Sequence, residues 1–362
     1  MKRILFCAST PLSYAMFKPI HRRLKEDGRV EIWFTANHDA DALYGTVGLH
    51  NEKTVGKYRS MLMRFDLCVC PSFFYTRKNA PVKVQIFHGC SLKNRAVHKD
   101  ALEYDKLFLV GPYMQQKFIS TWNLKENDPR FEEIGMPKLD AFFDGSLNKN
   151  EILEKLGLDP ALPTVIYAPT RPTPTSSSLS MYGPETIDTI AQMPVNFLIK
   201  LHDRSFRQWR PKGKIDWAQW LQKYEGHKRV RVIHDYDVVP YLFASDLLVS
   251  DISSVVNEFS LLNRPMVLFA VPRLIAFHKK VEAKRGVASS DLADWGQDVG
   301  TAVQKPEELQ KAIAYCLEHP AEKEAMRREF AQRFFFNPGQ ATEKAVQKIY
   351  ELLALEPAHK TA

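Results

Sequence analysis

The chain has 362 residues, of which 45% are hydrophobic and 25% charged. This composition is typical of a folded protein and excludes a disordered chain, and the length predicts two domains at about 100–200 residues each. The net charge of +8 favours a negatively charged partner, namely a nucleotide diphosphate, an anionic membrane surface or nucleic acid, without choosing among them.

The chain begins with a basic and then apolar segment, whose apolar run covers only residues 4–8. This run is too short for a signal peptide, and no stretch approaches the ~20 apolar residues of a membrane-spanning helix. We therefore interpret residues 3–8 as a first buried strand, followed by a helix over residues 14–27.

Short β-forming runs alternate with helical stretches along most of the chain. The first series of predicted strands covers residues 3–8, 30–36, 67–71, 82–87 and 106–110. The second series covers residues 164–168, 197–201, 229–233, 247–250 and 265–269. Alternating strands and helices predict βαβ units with parallel strands, so we expect an α/β protein in which this arrangement occurs twice.

The domain boundary is predicted from a charged segment and two prolines within residues 147–163. We expect an N-terminal domain over residues 1–150 and a C-terminal domain over residues 160–338. The apolar spacing of residues 340–355 predicts a closing helix that packs back onto the first domain. Residues 170–180 are rich in Pro, Thr and Ser, which fits a surface loop and a lid over a site equally well.

The five cysteines are an odd number and lie mostly in strand-like segments, which argues against a secreted disulfide framework. Cys68 and Cys70 are two positions apart and share one face of a strand. Because a second cysteine pair is lacking, we interpret them as buried thiols and expect no metal site.

Polar or turn-forming residues follow four of the predicted strands, in residues 87–93, 167–171, 200–203 and 249–254. Ligands of open parallel sheets bind beyond the carboxyl ends of the strands. Together, the four segments predict a cleft between the two domains.

The segment over residues 249–254 opens a helical run at residues 255–262. Ser and Asp are preferred at helix N-caps, because their side-chain oxygens accept hydrogen bonds from the first amides. The same helix start offers amide groups and the positive end of a dipole to a phosphate. The motif alone leaves both interpretations of Ser253 and Ser254 open.

Residues 247–259, followed by the Arg264-Pro265 pair and a hydrophobic strand, resemble the CDP-glycerol glycerophosphotransferases. That family carries an S/T-D-x-S-S-V block, an acidic residue and a K/R-P pair. His88-Gly89 is similar to its histidine–glycine block, and residues 135–140 are similar to its G-x-P-R-x-D segment. Residues 167–171 and 200–202 match two further landmarks in the same order. The matches cover roughly residues 85–270.

The resemblance implies a GT-B fold, in which two facing Rossmann-like domains with parallel sheets enclose an interdomain cleft and the second domain holds most of the nucleotide. It also implies transfer of glycerol phosphate from CDP-glycerol to a hydroxyl of a lipid-linked saccharide or growing polymer, with release of CMP, in teichoic-acid-like or capsule polymer synthesis. Phe87, Cys90, Asp203 and Glu258 depart from the family's usual residues, which leaves the donor polyol and the acceptor open.

Two histidines are the predicted catalytic residues. With the resemblance, His88 is expected to take the proton of the acceptor hydroxyl, since an imidazole with a pKa near ~6.5 accepts a proton at neutral pH. His202 shares a strand face with Lys200, and both are expected to contact the diphosphate and stabilise the departing CMP. The predicted donor-binding residues are Gly89, Arg171, Lys200, Asp251, Ser253, Ser254 and Glu258. For Glu258, a solvated helix carboxylate is the alternative.

We expect no cofactor, and the role of a divalent cation stays open. The expected partners are a CDP-linked polyol phosphate, a lipid-linked saccharide acceptor and an anionic membrane, with the enzyme cytoplasmic and peripheral on the inner face of the cell membrane. Basic and aromatic residues interleave in residues 17–25 and 204–214, which fits either this membrane surface or plain exposed faces.

Two other function classes are considered. A GT-B glycosyltransferase or sugar-nucleotide epimerase that uses a UDP-sugar is the enzymatic alternative, because a serine-rich helix start followed by an acidic residue also suits that ligand. A nucleic-acid-binding module is disfavoured, because the basic residues are spread out and no binding motif for DNA or RNA is present.

Overall fold

The computed structural model describes residues 1–37, 39–71, 80–87, 89, 93–172, 176–206, 215–290 and 295–356. The chain divides into two compact units. The first consists of Met1–Cys90, Asn94–Asp144 and Gln332–Ala362, and the second of Ser91–Lys93 and Gly145–Ala331. Within the described residues, no helix combines the length and the apolar character that crossing a bilayer requires.

The first unit contains a parallel sheet of six described strands in the order β2-β1-β3-β4-β5-β6. The strands are β1 (Lys2–Ala8), β2 (Val30–Ala36), β3 (Leu67–Cys70), β4 (Val82–Gln85), β5 (Lys106–Leu109) and β6 (Phe131–Glu133). The helices that precede residue 145 are α1 (Pro11–Asp27), α2 (Ala40–Gly45), α3 (Lys57–Leu62) and α4 (Pro112–Trp122).

The core of the first unit forms where α1 covers β1 and β2. Phe17, Ile20 and Leu24 recur at helical spacing and have no exposed surface. The Phe6 ring lies 4.7 Å from Phe17 and 5.7 Å from Phe34, measured between centroids. The apolar stripe of α1 therefore fixes this helix on the sheet.

The second unit contains another parallel sheet of six described strands, in the order β12-β11-β10-β7-β8-β9. Its strands are β7 (Thr164–Tyr167), β8 (Asn196–Ile199), β9 (Val230–Val232), β10 (Leu247–Ser250), β11 (Met266–Phe269) and β12 (Thr301–Val303). The remaining helices are α5 (Lys149–Lys155), α6 (Ser178–Ala191), α7 (Trp217–Trp220), α8 (Val239–Ala244), α9 (Ser254–Ser260), α10 (Pro272–Lys284), α11 (Leu309–Glu318), α12 (Glu324–Phe334) and α13 (Ala341–Leu352).

The four central strands of the second sheet, β7, β8, β10 and β11, are buried along their whole length. Strands covered on both faces have continuous apolar sequences rather than alternating ones. This explains why these strands were recognisable from sequence, and the predicted α/β class with two parallel sheets is confirmed.

Two strands were missed by the sequence analysis. Both β6 and β12 have three residues and lie at an edge of their sheet. The β6 sequence Phe-Glu-Glu is mostly polar, and none of its residues is buried. Such short edge strands are ordered by pairing with their neighbour, so their own sequence carries little strand signal.

The predicted linker over residues 147–163 contains α5, which belongs to the second unit. Asn148 caps α5 by accepting a hydrogen bond from the Glu151 amide, and Leu153 is fully buried. The side chain of Lys149 donates to the carboxylate of Asp246 at 2.6 Å. The long segment of the second unit therefore begins at Gly145, before residue 160, which the sequence analysis gave as the start of the C-terminal domain.

The chain returns to the first unit after α12 and packs against the backbone of two glycines. The amide of Phe336 donates to the carbonyl of Val110 at 2.8 Å. A Cβ on Gly111 would lie 2.0 Å from the carbonyl oxygen of Phe334, and one on Gly135 would lie 2.2 Å from that of Phe336. Gly135 also has a φ of +102°, which L side chains rarely adopt.

A buried carboxylate fixes the start of α13. Oδ1 of Asp140 accepts from the amide of Ala341 at 3.2 Å, and Oδ2 accepts from the amide of Thr342 at 2.6 Å. Burial raises the pKa of Asp140, while the hydrogen bonds from Thr342 act in the opposite direction. Asp140 thus caps a helix that begins about 200 positions later in the chain, and α13 packs on α1 in the first unit.

We predict that Gly111→Ala destabilises the protein by about 1–3 kcal/mol, because the new methyl group collides with rigid backbone at Phe334. Urea unfolding followed by intrinsic fluorescence measures this loss. The control is Gly56→Ala, since Gly56 has a φ of −61° and no atom within 4 Å of an added Cβ. Equal stability of the two variants would contradict the tight contact of the returning chain.

Candidate functional site

Three of the four polar segments predicted from sequence lie side by side in the second unit. They follow β10, β7 and β8, which are neighbours and parallel in the sheet. The carboxyl ends of these strands therefore share one edge, where α/β proteins bind ligands. We call this region the carboxyl edge of the second sheet, defined by residues 168–171, 200–203 and 250–254.

Asp251 is the central acceptor of this edge and has no exposed surface. Oδ1 accepts from the amide of Thr170 at 2.9 Å. Oδ2 accepts from both the amide and the hydroxyl of Ser178, each at 3.0 Å. These three bonds join the end of β10 to the segment after β7 and to the first turn of α6.

Backbone pairing continues beyond the named strands at this edge. The amide of Ala168 donates to the carbonyl of Val249 at 3.0 Å, and the amide of Lys200 donates to that of Tyr167 at 3.0 Å. The hydroxyl of Ser250 donates to the carbonyl of Ala168 at 2.7 Å. The edge is therefore held by the sheet ladder itself as well as by Asp251.

Asp251 was predicted to contact a donor phosphate. Its described hydrogen bonds all go to protein groups, and a buried carboxylate repels an anion, so its observed contacts position the surrounding segments. Direct contact with a ligand remains a prediction for this residue.

Ser253 and Ser254 lie at the start of α9, as the sequence predicted. Ser253 occupies the N-cap position with a φ of −78° and a ψ of 152°, and its side chain makes no capping hydrogen bond. The amide of Val256 is satisfied by the backbone carbonyl of Ser253. The interpretation in which the Ser253 side chain caps the helix is therefore wrong, and ligand binding by the two serines stays a prediction.

Glu258 is buried, with 3% of its surface exposed. It lies in α9 between Asn257 and Phe259, which are also buried. The alternative that Glu258 is a solvated helix carboxylate is thus excluded. Its predicted contact with a ligand hydroxyl remains untested by the described contacts.

Lys200 follows β8 directly, since this strand ends at Ile199 rather than continuing to residue 201. Its Nζ donates to the carbonyl of Leu201 at 3.2 Å. Burial lowers the pKa of Lys200, and the negative charges of Asp203 and Asp235 partly offset this effect. A partly desolvated ammonium gains more from an anionic ligand than one in water, because the local dielectric constant is lower.

His202 lies in the same segment and is partly exposed. Its Nδ1 is 2.5 Å from Oδ1 of Asp203 and 3.2 Å from the amide nitrogen of Arg204. The amide of Arg204 donates to Nδ1, so both described contacts of the ring are made through this nitrogen and fix the ring orientation.

Two further predicted donor residues, Arg171 and Gly89, lie in different units. Arg171 is half-buried and follows β7, and Gly89 is buried after β4 in the first unit. His88, the predicted base, lies outside the described residues, as does Cys90. Their predicted roles stay predictions.

The serine-rich segment over residues 170–180 is ordered at its far end. Ser177 caps α6 by accepting from the amide of Ser180 at 3.2 Å, and Ser176, Ser177 and Ser178 are buried. The interpretation as a surface loop is therefore wrong for residues 176–180, whereas residues 173–175 lie outside the described residues.

The cysteines that the structure describes are buried free thiols, as was predicted for Cys68 and Cys70. Sγ of Cys7 lies 3.3 Å from that of Cys68, and Cys70 completes a trio whose sulfur atoms are within 4.8 Å of one another. Burial raises the pKa of the Cys7 thiol well above its usual range. Since a metal binds the thiolate, this trio is a poor fit to a metal, and the absence of a metal site stays a prediction.

The sequence analysis missed two buried polar side chains, one bonded to Asp251 in the second unit and one in the first unit. Ser178 supplies two of the three bonds to Asp251, and its place in a serine run before an apolar helix was the available signal. Gln85 ends β4 fully buried, and its Nε2 donates to the carbonyl of Ile86 at 2.6 Å. Its signal was a polar residue in an otherwise apolar run, three positions before His88.

One of the two predicted membrane segments is wrong. In residues 17–25, Phe17, Ile20 and Leu24 belong to the core and have no exposed surface, so they cannot anchor the protein on a bilayer. Most of the second segment, residues 207–214, lies outside the described residues.

The architecture is similar to that of three solved proteins. The wall teichoic acid polymerase TagF matches with a TM-score of 0.66 and 17% sequence identity, over 97% of this chain and 89% of that chain. S. aureus MnaA with UDP matches with a TM-score of 0.61 and 13% identity, over 99% and 98% of the two chains. UDP-GlcNAc 2-epimerase from Neisseria meningitidis matches with a TM-score of 0.56 and 12% identity, over 97% and 99%. The two parallel sheets and these likenesses define the fold class as GT-B.

The sequence gives the narrower assignment. Residues 1–351 match the family described as CDP-Glycerol:Poly(glycerophosphate) glycerophosphotransferase, and the chain belongs to this family. The resemblance seen over residues 85–270 is thereby confirmed and extended to nearly the whole chain.

Two curated relatives are teichoic acid glycerol-phosphate primases. The protein of Bacillus spizizenii is 24% identical over 176 residues, which are 48% of this chain and 42% of the relative. That of Bacillus subtilis is 26% identical over 192 residues, which are 52% of this chain and 44% of the relative. The matched region thus spans less than half the length of these relatives.

We predict that Asp251→Ala lowers the free energy of unfolding by about 3 kcal/mol or more, because the buried amides of Thr170 and Ser178 lose their acceptor. Urea unfolding of the full chain measures this change. Ser253→Ala is the matched control from the same turn, and it should unfold like the wild type because its side chain caps nothing. A large loss in the control, or none in Asp251→Ala, would contradict the assigned positioning role.

Proposed function

We propose that the protein transfers glycerol phosphate from CDP-glycerol to a hydroxyl of a lipid-linked saccharide or growing polymer and releases CMP. The observation that carries this proposal is the family match over residues 1–351. The carboxyl edge of the second sheet supports it, because a cation and two hydroxyls follow strands of the same sheet there. Lys200 follows β8, and Ser253 and Ser254 follow β10, on either side of β7.

The reaction is a substitution at phosphorus. The acceptor oxygen forms a bond to the phosphorus next to glycerol, the bond from that phosphorus to the CMP oxygen breaks, and the acceptor proton passes to a base. No electrons leave or enter the reactants, so the transfer needs no redox cofactor. The protein has to position both substrates, take up one proton and stabilise the negative charge on the leaving CMP.

The roles of the two histidines follow from these needs. We assign the acceptor proton to His88 and the diphosphate to His202 together with Lys200. The partial desolvation of Lys200 strengthens its attraction to a diphosphate. The contacts of Nδ1 with Asp203 and with the amide of Arg204 orient the His202 ring. We propose that the remaining donor contacts are made by Arg171, Gly89, Asp251, Ser253, Ser254 and Glu258.

The lipid-linked acceptor implies that the protein works at a membrane surface, and we propose the inner face of the cell membrane, reached from the cytoplasm. The high net charge supports attraction to an anionic surface.

A second candidate donor is a UDP-sugar, because MnaA with UDP has a similar fold. Family membership favours the CDP-linked donor.

A donor trial tests the proposed function directly. The purified protein is given CDP-glycerol, CDP-ribitol or UDP-N-acetylglucosamine, with and without a lipid-linked saccharide acceptor, and the released nucleotide is measured. We expect CMP release that depends on the acceptor and occurs with CDP-glycerol. Release of UDP, or epimerisation of the UDP-sugar, would reject the proposal. A parallel series with EDTA, followed by addition of Mg²⁺, tests whether a divalent cation takes part.

We predict that the two histidine variants fail differently. His88→Ala should lower kcat about 10²–10⁴-fold with donor affinity nearly kept, since a general base acts in the chemical step. His202→Ala should weaken donor binding as well as turnover. Steady-state kinetics and calorimetric titration of CDP-glycerol separate the two effects.

The control for this comparison is His319→Ala, because His319 is an exposed histidine that stacks on Tyr315 in the second unit. It should behave like the wild type. If His88→Ala strongly weakened donor binding while turnover at saturating donor stayed near the wild-type value, the assignment of base and binder would be wrong.

A further inference from the structure

The first unit exposes large apolar side chains on the short helix α3. Tyr58 is 81% exposed, Leu62 is 87% exposed and Met61 is 46% exposed. In the described part of the chain, no other large apolar side chain except Met1 is more than 50% exposed. Removing such side chains from water is favourable, so a cluster of this kind marks an interaction surface.

The exposed side chains stand on an anchored element. Tyr58 and Leu62 are four positions apart and therefore lie on one side of the helix. On the inner side, Ser60 is fully buried, and its amide donates to the carbonyl of Gly56 at 2.9 Å. Val55 and Phe65 are buried before and after the helix. Buried residues on both sides of α3 thus fix the helix with Tyr58 and Leu62 on its exposed side.

The charged residues within the α3 segment are all basic. Residues 53–65 contain Lys53, Lys57, Arg59 and Arg64, and the carboxylates that flank this range are paired, Glu52 with Lys25 and Asp66 with Lys2. The charge of Lys53 is met by Glu31 at 2.7 Å, whereas Arg59 and Arg64 are exposed beside Tyr58 and Leu62. An apolar cluster bordered by guanidinium groups complements a surface with an anionic layer over an apolar interior.

We propose that Tyr58, Met61 and Leu62, together with Arg59 and Arg64, form the site at which this protein docks on an anionic lipid bilayer. This α3 patch deepens the proposed function, since it supplies the contact that a lipid-linked acceptor requires. The tyrosine and the two aliphatic side chains enter the boundary between headgroups and acyl chains, and the arginines bind lipid phosphates. Attachment needs both contributions, because a few apolar side chains or two charges alone bind weakly.

Flotation with vesicles tests the patch without any acceptor or CDP-glycerol present. The vesicles contain either phosphatidylcholine alone or phosphatidylcholine with phosphatidylglycerol, each at low and high salt. We expect the wild-type protein to float with the anionic vesicles at low salt and to dissociate at high salt. Tyr58→Ser/Leu62→Ser should lower the binding constant by about 10-fold or more.

Matched controls separate the patch from general surface chemistry. Phe277→Ser/Met326→Ser removes two apolar side chains that are 43% exposed in the second unit, and it should bind vesicles like the wild type. Arg59→Gln/Arg64→Gln should lower the vesicle binding constant by about 10-fold or more, because each arginine contributes roughly 1 kcal/mol to binding. Lys305→Gln/Lys311→Gln removes the same charge from exposed positions elsewhere and should bind nearly as the wild type does. Thermal unfolding checks that every variant is folded.

Three results would overturn the proposal. The first is unchanged vesicle binding by both α3 variants, and the second is equal binding to neutral and anionic vesicles. The third is self-association of the wild type in light scattering that the Tyr58→Ser/Leu62→Ser variant abolishes, since that would make the patch a contact between copies. Failure of the proposed function is a separate result. Vesicle binding through α3 without CMP release from CDP-glycerol would leave the patch in place and reject the transfer reaction.

Discussion

The carboxylate of Asp251 is the constraint on which the candidate site depends. It is fully buried and accepts three hydrogen bonds, from groups that belong to two other segments of the second unit. A buried charge is tolerated only when its hydrogen bonds are made, so these segments are held in one arrangement. Asp251 thereby links the ends of β7 and β10 to the start of α6. Of the residues that we propose for the donor, Arg171, Ser253 and Ser254 lie on these joined segments, which is how a protein keeps binding groups in place before the ligand arrives.

The first unit is completed by residues from the other end of the chain. The returning segment lies on the backbone at Gly111 and Gly135, and Asp140 caps α13. None of these contacts forms locally, because each joins positions about 200 residues apart, and closing such long loops costs entropy early in folding. The glycines contribute by lacking a side chain, and Asp140 contributes two acceptors to amides that a helix start leaves unsatisfied. The G-M-P-K-L-D segment, whose family likeness drew attention, therefore has a structural role through its aspartate.

The proposed chemistry and the proposed docking surface use charge in different ways. Lys200 is partly desolvated, so its positive charge suits a small, highly charged ligand such as a diphosphate. Arg59 and Arg64 remain in water, where each charge contributes modestly and salt screens it, which suits a reversible contact with a wide anionic surface. The buried thiols of Cys7, Cys68 and Cys70 have no part in either proposal, and burial raises the pKa of the Cys7 thiol well above its usual range.

The sequence by itself determined the elements whose signal is local. Buried strands such as β7 and β10 are continuous apolar runs, helix α1 has an apolar stripe, and the motif around Ser253 identified the family. What the sequence could not supply was the pairing of distant groups. The bonds of Asp251 to Thr170 and Ser178 were not predicted, the burial of Glu258 was left open, and Phe17 was considered for a membrane surface although it lies in the core. The edge strands β6 and β12 were missed because their neighbours order them. Tertiary structure decided these points, since burial and hydrogen-bond partners depend on which segments meet, and no local pattern encodes that meeting.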